Sequence, residues 1–340
     1  MKVLVTGSEG YIGTGLAPAL ADRGHEVVGL DTGFYADGRL YAVRQPPVPC
    51  IRKDIRQVLE ADLDGFDAVV HLAELSNDPL GERDPAITYA INHAGSVRLA
   101  QLCKRAGIQR FVYSSSCSVY GATSADLVTE ESGTNPQTVY ARCKLLVERD
   151  VSGLADSHFC PTFLRNATAY GSSPSMRFDL VLNNLAGLAW TAGEIRMTSD
   201  GTPWRPLVHV LDIAEAVACV LEAPRDTVHG EIFNVGDNAQ NYQIVDIASV
   251  VAAVFPDCRL TVGDSRGDAR SYRVSFDKIH AALPEFKCHR DAVAGAGELR
   301  RIFERVRLSP ETFRFRAFTR LLQLEHLVQS QQVDGDLFWR

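Results

Sequence analysis

Cysteines arranged as metal clamps or redox pairs are missing from this chain. Its eight cysteines, at positions 50, 103, 117, 143, 160, 219, 258 and 288, include no Cys-x-x-Cys pair, and most sit inside apolar segments as small hydrophobes do. They read as reduced thiols, and no structural metal is expected. Runs of Lys or Arg are also missing, and a net charge of −7 leaves no concentrated basic face for nucleic acid. Any phosphate on a ligand must then be met by local cations. Long apolar runs are absent too: the stretch from Ile247 to Phe255 falls well short of the roughly 20 residues that span a bilayer. A glycine motif begins so close to Met1 that no secretory core fits ahead of it. The expectation is a cytoplasmic, uncleaved protein with no membrane partner. No internal repeat, low-complexity segment or clean linker divides the chain.

What is present is ordinary globular material: 340 residues, 46% apolar and 23% charged, enough for two domains or one large one. KVLVT at Lys2–Thr6 reads as a buried strand, a glycine turn follows, and Tyr11 to Arg23 has helical apolar spacing. HEVVGL from His25, CIRKDI from Cys50, AVVHLA from Ala68 and RFVYSSS from Arg110 continue the strands, with a long helix near Tyr89 to Arg105 between the last two. Strands alternating with helices imply an α/β fold with a doubly wound, Rossmann-like parallel sheet. After a further strand, PTFLRNATAY, the alternation weakens into GSSPSM, an apolar helix (FDLVLNNLAGLAW), DGTPWRP and a helix HVLDIAEAVACVLEA. EIFNVG near Glu231 reads as a late strand returning to the first sheet, and the Arg-, Phe- and Leu-rich stretch from Gly295 as helices at the rim. The expected organisation is a dinucleotide-binding domain over 1–166, with returning segments near 207–236, and a smaller mixed α/β lobe with C-terminal helices over 167–340.

Gly7, Gly10 and Gly13 in GSEGYIG let the backbone turn from strand to helix and approach a pyrophosphate at the helix N-terminus. Such a turn alone is a weak signal. Asp31 ends the second strand, where a carboxylate accepts bonds from adenosine ribose hydroxyls, and no Arg stands beside it in sequence to receive a 2′-phosphate. This favours NAD over NADP. The competing reading is a strand-end Asp capping a turn with Gly33. Asp54 and Ile55 follow the third strand, where they can meet the adenine, although a helix-capping Asp is the simpler account of Asp54 taken alone. Leu72, Ala73 and Glu74 end the fourth strand and border the cofactor, whereas His71 reads as a satisfied core histidine. Tyr140 and Lys144, four residues apart, share one helix face, where a fixed ammonium can lower a phenol pKa near 10.

In sequence order the pieces GSEGYIG, LDTG, KDI, HLAE, Asn92 in YAINHAG, SSSCSVYG, YARCK, LRNATAYG, the segment from Phe178 to Asn183, WRPLVHVLD, FNVG and GDARSY resemble the extended short-chain dehydrogenase/reductase family. The resemblance is to its NAD-dependent nucleotide-sugar epimerase and dehydratase branch and covers nearly the whole chain. It implies that Ser116, Tyr140 and Lys144 are catalytic. Tyr140 would take a sugar hydroxyl proton as hydride leaves the same carbon, Lys144 would hold the nicotinamide ribose, and Ser116 would donate to the sugar oxygen. It also implies cofactor contacts from Tyr11, Ile12, Asn92 and Ser114. On the substrate side it implies Asn166, and Asn183 and Arg205 on a nucleotide diphosphate, joined by Arg270, whose planar fork suits phosphate oxygens. Arg177 is a further candidate, although a lone loop arginine is usually solvated. Asn77 and Asp78 either face the hexose or form an Asx turn before Pro79.

One departure discriminates among family members. Resembling 4,6-dehydratases place Asp and Glu where this chain has Cys117 and Ser118, because losing water needs an acid and a base beyond the tyrosine. Cys117 borders the substrate and, with Glu74, is the remaining candidate for an unorthodox acid or base, but it reads more simply as a packed small residue. The expected function is therefore an NAD-dependent epimerase of a nucleotide-diphosphate sugar, oxidising one carbon, most readily C4, and returning the hydride. Its rivals are an NAD(P)H-consuming 4-ketosugar reductase, a dehydratase or epimerase acting at neighbouring carbons, and a dinucleotide sensor without turnover. The resemblance also implies a homodimer through helices near Asn92 and Tyr140, for which Leu99, Leu102, Leu145 and Leu146 are either apolar contacts or, equally, core.

Overall fold

The computed structural model describes residues 1–42, 47–76, 78–123, 126–265 and 270–340. The strands run β1 Lys2–Thr6, β2 Glu26–Asp31, β3 Cys50–Arg52, β4 Ala68–His71, β5 Arg110–Ser116, β6 Cys160–Asn166, β7 Thr168–Tyr170, β8 Glu194–Arg196, β9 Trp204–His209, β10 Ile232–Val235, β11 Asn241–Gln243 and β12 Arg259–Thr261. The helices that matter below are α1 Gly13–Asp22, α2 Ser96–Arg105, α3 Val139–Ser152, α4 Val181–Ala192, α5 Val210–Glu222, α6 Ile244–Val254, α7 Ala292–Val306 and α8 Arg320–Gln329.

Among the described residues a seven-stranded sheet has the order β10-β6-β5-β4-β1-β2-β3, and every pair in it is parallel. Val3, Leu4, Val5, Val69 and Val70 are fully buried, as expected for central parallel strands covered on both faces. One apolar cluster on the α1 and α5 side includes Val3, Leu16, Ile213 and Val217. The other includes Leu4, Leu99, Leu102, Phe111 and Val147. Leu99 and Leu102 therefore belong to the chain's own core and not to a surface for a second copy, whereas Leu145 and Leu146 are half-buried.

The segment PTFLRNATAY forms two strands instead of one. The chain leaves the large sheet at Ala167, whose N–H donates to Val235 O at 3.0 Å, and β7 then joins a small sheet of order β11-β9-β7. A third cluster, with Phe178, Leu182, Leu207, Ile247 and Phe303, forms the smaller lobe. The late strand β10 returns to the large sheet beside β6. The last helix departs from the expected rim position: Leu324 and Leu327 of α8 pack into the core that contains Leu4 and Leu30. The helical stretch near Tyr89 to Arg105 contains a π-helical segment, Tyr89–Gly95, that runs into α2. No helix among the described residues is long and apolar enough to cross a membrane.

A buried charge network joins α3 to the sheet. Glu148 Oε1 accepts from Ser115 Oγ at 2.5 Å and Arg165 Nε at 3.0 Å, and Oε2 accepts from Arg165 Nη2 at 2.7 Å. Arg165 Nη1 donates to Tyr120 Oη at 3.0 Å, and that hydroxyl donates to Asn234 Oδ1 at 2.7 Å. Four elements, β5, α3, β6 and β10, are thus tied by groups that have no water to fall back on. Breaking a buried pair by removing one partner strands the other charge, at a cost of about 3–5 kcal/mol. Glu148→Ala is accordingly expected to lower stability by about that amount, read as a fall in the urea midpoint with unchanged m-value. Glu148→Leu combined with Arg165→Met should recover most of the loss.

Candidate active site

β1 and β4 are neighbours in the sheet, and the chain continues outward from them in opposite directions. Such a switch point opens a crevice at the carboxyl ends of the strands, and here a cleft of about 730 Å³ is lined by Gly7, Asp31, Leu72, Ser116 and Asn166 from those ends. Gly7 has φ +72° and a Cβ there would lie 2.9 Å from Ala73 N, while a Cβ at Gly13 would lie 2.2 Å from Gly7 O. Only glycine lets the turn close this tightly. The N-terminus of α1 then presents Gly10, Tyr11 and Ile12 to the cleft, a place that favours phosphate. The Tyr11 ring is buried in the smaller lobe's core, and its hydroxyl donates to Gly171 O at 2.7 Å.

At the end of β2 the Asp31 carboxylate accepts from Glu9 N at 3.0 Å and Gly33 N at 2.7 Å while lining the cleft. The turn-capping and cleft-lining readings hold together, and burial raises its pKa. Pairing of β2 with β3 sets Arg52 opposite Asp31, an arginine that is invisible beside it in sequence. Arg52 is taken up by an ion pair with Glu9. Asp54 likewise combines two roles: it accepts from Arg56 N at 2.8 Å as the cap of a short 3-10 turn and, with Ile55, lines the cleft.

α3 begins at Thr138, whose side chain accepts from Ala141 N at 3.2 Å, a standard cap. It presents Tyr140 and Lys144 to the same cleft as Ser114 and Ser116 on β5. Lys144 Nζ lies 5.4 Å from the Tyr140 ring centre, donates to Ser114 O and pairs with Glu74 Oε2 at 2.7 Å. Glu74 Oε1 accepts from Tyr113 Oη at 2.6 Å. The expectation of a lowered phenol pKa is corrected by this arrangement. Burial raises Tyr140; Lys144 pulls it down, but Glu74 and Asp78 push it up again, and the result is above the ordinary value. Burial opposes the Lys144 charge and Glu74 more than restores it. His71 bonds Thr6 Oγ1 at 2.6 Å and Ser96 Oγ at 2.8 Å, and burial drives it down to about 3. It is a neutral core group.

The cleft also collects Leu72, Ala73, Glu74, Asn166, Arg177, Arg205 and Arg270. Asn166 Nδ2 donates to Ser114 Oγ at 2.9 Å, while its Oδ1 and the Ser118 hydroxyl are buried without partners and line the cleft through their residues. Arg205 donates to Trp204 O at 2.8 Å and sits 5.5 Å over the Tyr272 ring. Arg270 pairs with Asp78 Oδ2 at 2.5 Å, and Asp78 Oδ1 accepts from Thr138 Oγ1 at 2.6 Å. Arg177 is not a solvated loop arginine. It is 7% exposed, forks onto Asp179 at 2.9 and 3.0 Å, and donates to Ser76 Oγ at 3.1 Å.

Three expected contacts lie elsewhere. Asn183 is fully buried, accepting from Gly171 N and donating to Tyr11 Oη and Arg177 O, so its amide braces the lobe. Asn92, also fully buried, accepts from Leu75 N at 2.8 Å and donates to Leu75 O at 2.9 Å, holding the loop after β4 in place. Cys117 is buried against Arg165 O at 3.1 Å, with its thiol pushed well up by burial. Asn77 lies outside the described residues. Sequence reasoning missed Glu148, which shares the helix face of Tyr140 and Lys144 at the next i+4 step, and it missed Tyr35, Tyr113 and Arg320, for which no local signal existed. Among the described residues no cluster of three or more His, Cys, Asp or Glu could hold a metal.

Residues 3–236 match the family model described as the NAD dependent epimerase/dehydratase family. The chain is 29% identical to a UDP-glucose 4-epimerase of Corynebacterium glutamicum over 75% of this chain and 80% of that protein. It is 30% identical to one of Neisseria meningitidis serogroup C over 74% and 82%. Among solved structures it is similar to MoeE5 in complex with UDP-glucuronic acid and NAD, with TM-score 0.78 and 25% identity over 90% of this chain and 99% of that one. The glycine turn and the Asp31 carboxylate fit a dinucleotide. Gly13→Ala is expected to weaken NAD binding about tenfold or more, because an overpacked backbone costs about 1–3 kcal/mol. Fluorescence titration of ligand-stripped protein measures this, with thermal melting as the check on folding.

Proposed function

Since the chain belongs to the NAD-dependent epimerase/dehydratase family, we propose that it inverts one carbon of a UDP-linked hexose or hexuronate, with C4 as the reacting centre. The observation that carries this reading is the meeting of Ser116, Tyr140 and Lys144 in one cleft with the glycine turn and Asp31, with no free carboxylate at positions 117 and 118. NAD, when bound, supplies a hydride acceptor. Tyr140 takes the proton of the sugar hydroxyl as the carbon is oxidised, and Ser116 donates to the same oxygen. Lys144 keeps a positive charge beside the phenol, and Asn166 Oδ1 and Ser118 Oγ offer unpaired polar atoms to the sugar. The keto sugar turns over within the cleft, and Tyr140 returns the proton to its oxygen as the carbon is reduced on the other face, which closes the cycle.

The dehydratase alternative requires a further acid and base. Both oxygens of Glu74 are engaged, by Lys144 and Tyr113, and the Cys117 thiol is turned onto Arg165 O away from the cleft lining, so neither is placed to supply them. Arg205 and Arg270 are assigned to the nucleotide diphosphate, and Asp78 to holding Arg270. The homodimer, in this reading, uses Leu145 and Leu146 on α3.

UDP-hexoses carrying deuterium at C4 provide the test. Epimerisation predicts the C4 epimer with its label retained and no consumption of reduced cofactor. Steady NAD(P)H consumption would identify a reductase, and solvent deuterium at C3 or C5 would identify chemistry at neighbouring carbons. Tyr140→Phe should lower kcat by about 10²–10⁴, the usual contribution of a general base. A base works deprotonated, so activity rises as pH climbs through the Tyr140 pKa. The Glu74 charge raises that pKa, so Glu74→Gln is expected to move the rise in the kcat/KM profile to lower pH.

A further inference from the structure

In the loop after β2 and at the start of α8 two buried donors, Tyr35 Oη and Arg320 Nη1, have no acceptor among the described residues. Both residues line the cleft. Arg320 opens α8, far outside the segment that matches the family model, and is 2% exposed. Its guanidinium carbon lies 4.0 Å over the Tyr35 ring, and Nη2 reaches Ser175 Oγ at 3.3 Å and Ser175 O at 3.5 Å. Neighbouring Asp179 is already gripped by the fork of Arg177. Burial, with Arg177 adding to it, lowers Arg320 to about 10, while burial pushes Tyr35 up to about 12. At neutral pH one is a cation and the other a neutral hydroxyl. A buried donor left without an acceptor is costly, the more so on a cation, and both groups are satisfied by one oxygen acceptor, which the Arg320 charge favours as an anion.

The corner's position decides which anion. Tyr35 follows Asp31 by four residues, and Ser175, which meets Arg320, lies two residues past Ser173, whose hydroxyl donates to Tyr11 O at 2.7 Å beside the start of α1. The N-terminus of α1 lines the same cleft. Arg205 and Arg270 form a separate group around Tyr272 and Asp78. We propose that Arg320 and Tyr35 bind the diphosphate of the dinucleotide, adding a side-chain anion clamp to the backbone cradle of the glycine turn. The C-terminal helix thereby becomes part of the cofactor site. The clamp rests on the dinucleotide reading of this cleft.

The experiment titrates the ligand-stripped full chain with NAD, ADP, adenosine and UDP, in wild type, Arg320→Gln and Tyr35→Phe. Arg320→Gln is expected to raise the Kd for NAD and ADP about tenfold to a hundredfold, the usual weight of a charge-assisted bond. Tyr35→Phe should raise it about two- to tenfold, as for a neutral hydrogen bond. Adenosine and UDP should stay within about twofold of wild type in both variants. Parallel loss of adenosine binding would show a merely structural role and overturn the proposal, as would unchanged NAD affinity. A loss falling on UDP would assign the clamp to the other nucleotide. Wild-type protein that binds no NAD would overturn the dinucleotide reading and the clamp together. Should Arg320→Gln fail to fold, the comparison of ADP with adenosine in Tyr35→Phe decides.

Discussion

The buried pair of Glu148 and Arg165 is the constraint on which the cleft depends. Tyr140, Lys144 and Glu148 are successive i+4 steps along one face of α3, so whatever holds Glu148 also sets the height and rotation of the other two. Arg165 holds it from β6, and Ser115 from β5. Ser116 follows Ser115, and Asn166 follows Arg165, so the strand residues that line the cleft are fixed by their immediate neighbours. The hydroxyl of Tyr120 extends the network to Asn234 on β10. In a low-dielectric interior such a network is rigid when fully bonded.

A second layer of electrostatics lies above it. Lys144 is held between Glu74, Ser114 O and the Tyr113 ring, so its positive charge is largely compensated within the protein. Burial, with Glu74 and Asp78 adding to it against Lys144, leaves the phenol of Tyr140 above its ordinary pKa, where sequence spacing alone suggested that it would stand below. The charge around this phenol is set by Lys144, Glu74, Asp78 and Arg177 and not by the Tyr-Lys pair alone. The same principle, a charge assigned to a partner from another element, governs Arg52 with Glu9 and Arg270 with Asp78.

Much of this was legible in the chain. The glycine turn, Asp31, Ser116, Tyr140 and Lys144 carry local signals, because turns and helix faces are determined over a few residues. The parallel sheet followed from alternation, and β10 was recognisable as a late strand. Other residues carried the right motif and a different placement. Asn183, Asn92 and Cys117 sit beside the cleft but point their polar atoms at Tyr11, Leu75 and Arg165, a difference of side-chain direction that no motif encodes. Arg177 reads as an exposed loop residue because Ser76, 101 residues away, meets it only in the folded chain.

By itself, the sequence determined the α/β class, the glycine turn and the Tyr140 and Lys144 helix face, since each depends on spacing within one element or one turn. Tertiary structure alone decided which charges face which. Glu74 meets Lys144 across 70 residues of chain, and Arg320 reaches Tyr35 from the far end of the chain. The reason is physical. Backbone geometry is settled by short-range sterics and hydrogen bonds, whereas the pKa of a buried group depends on charges within a few ångströms in space, whatever their separation in sequence.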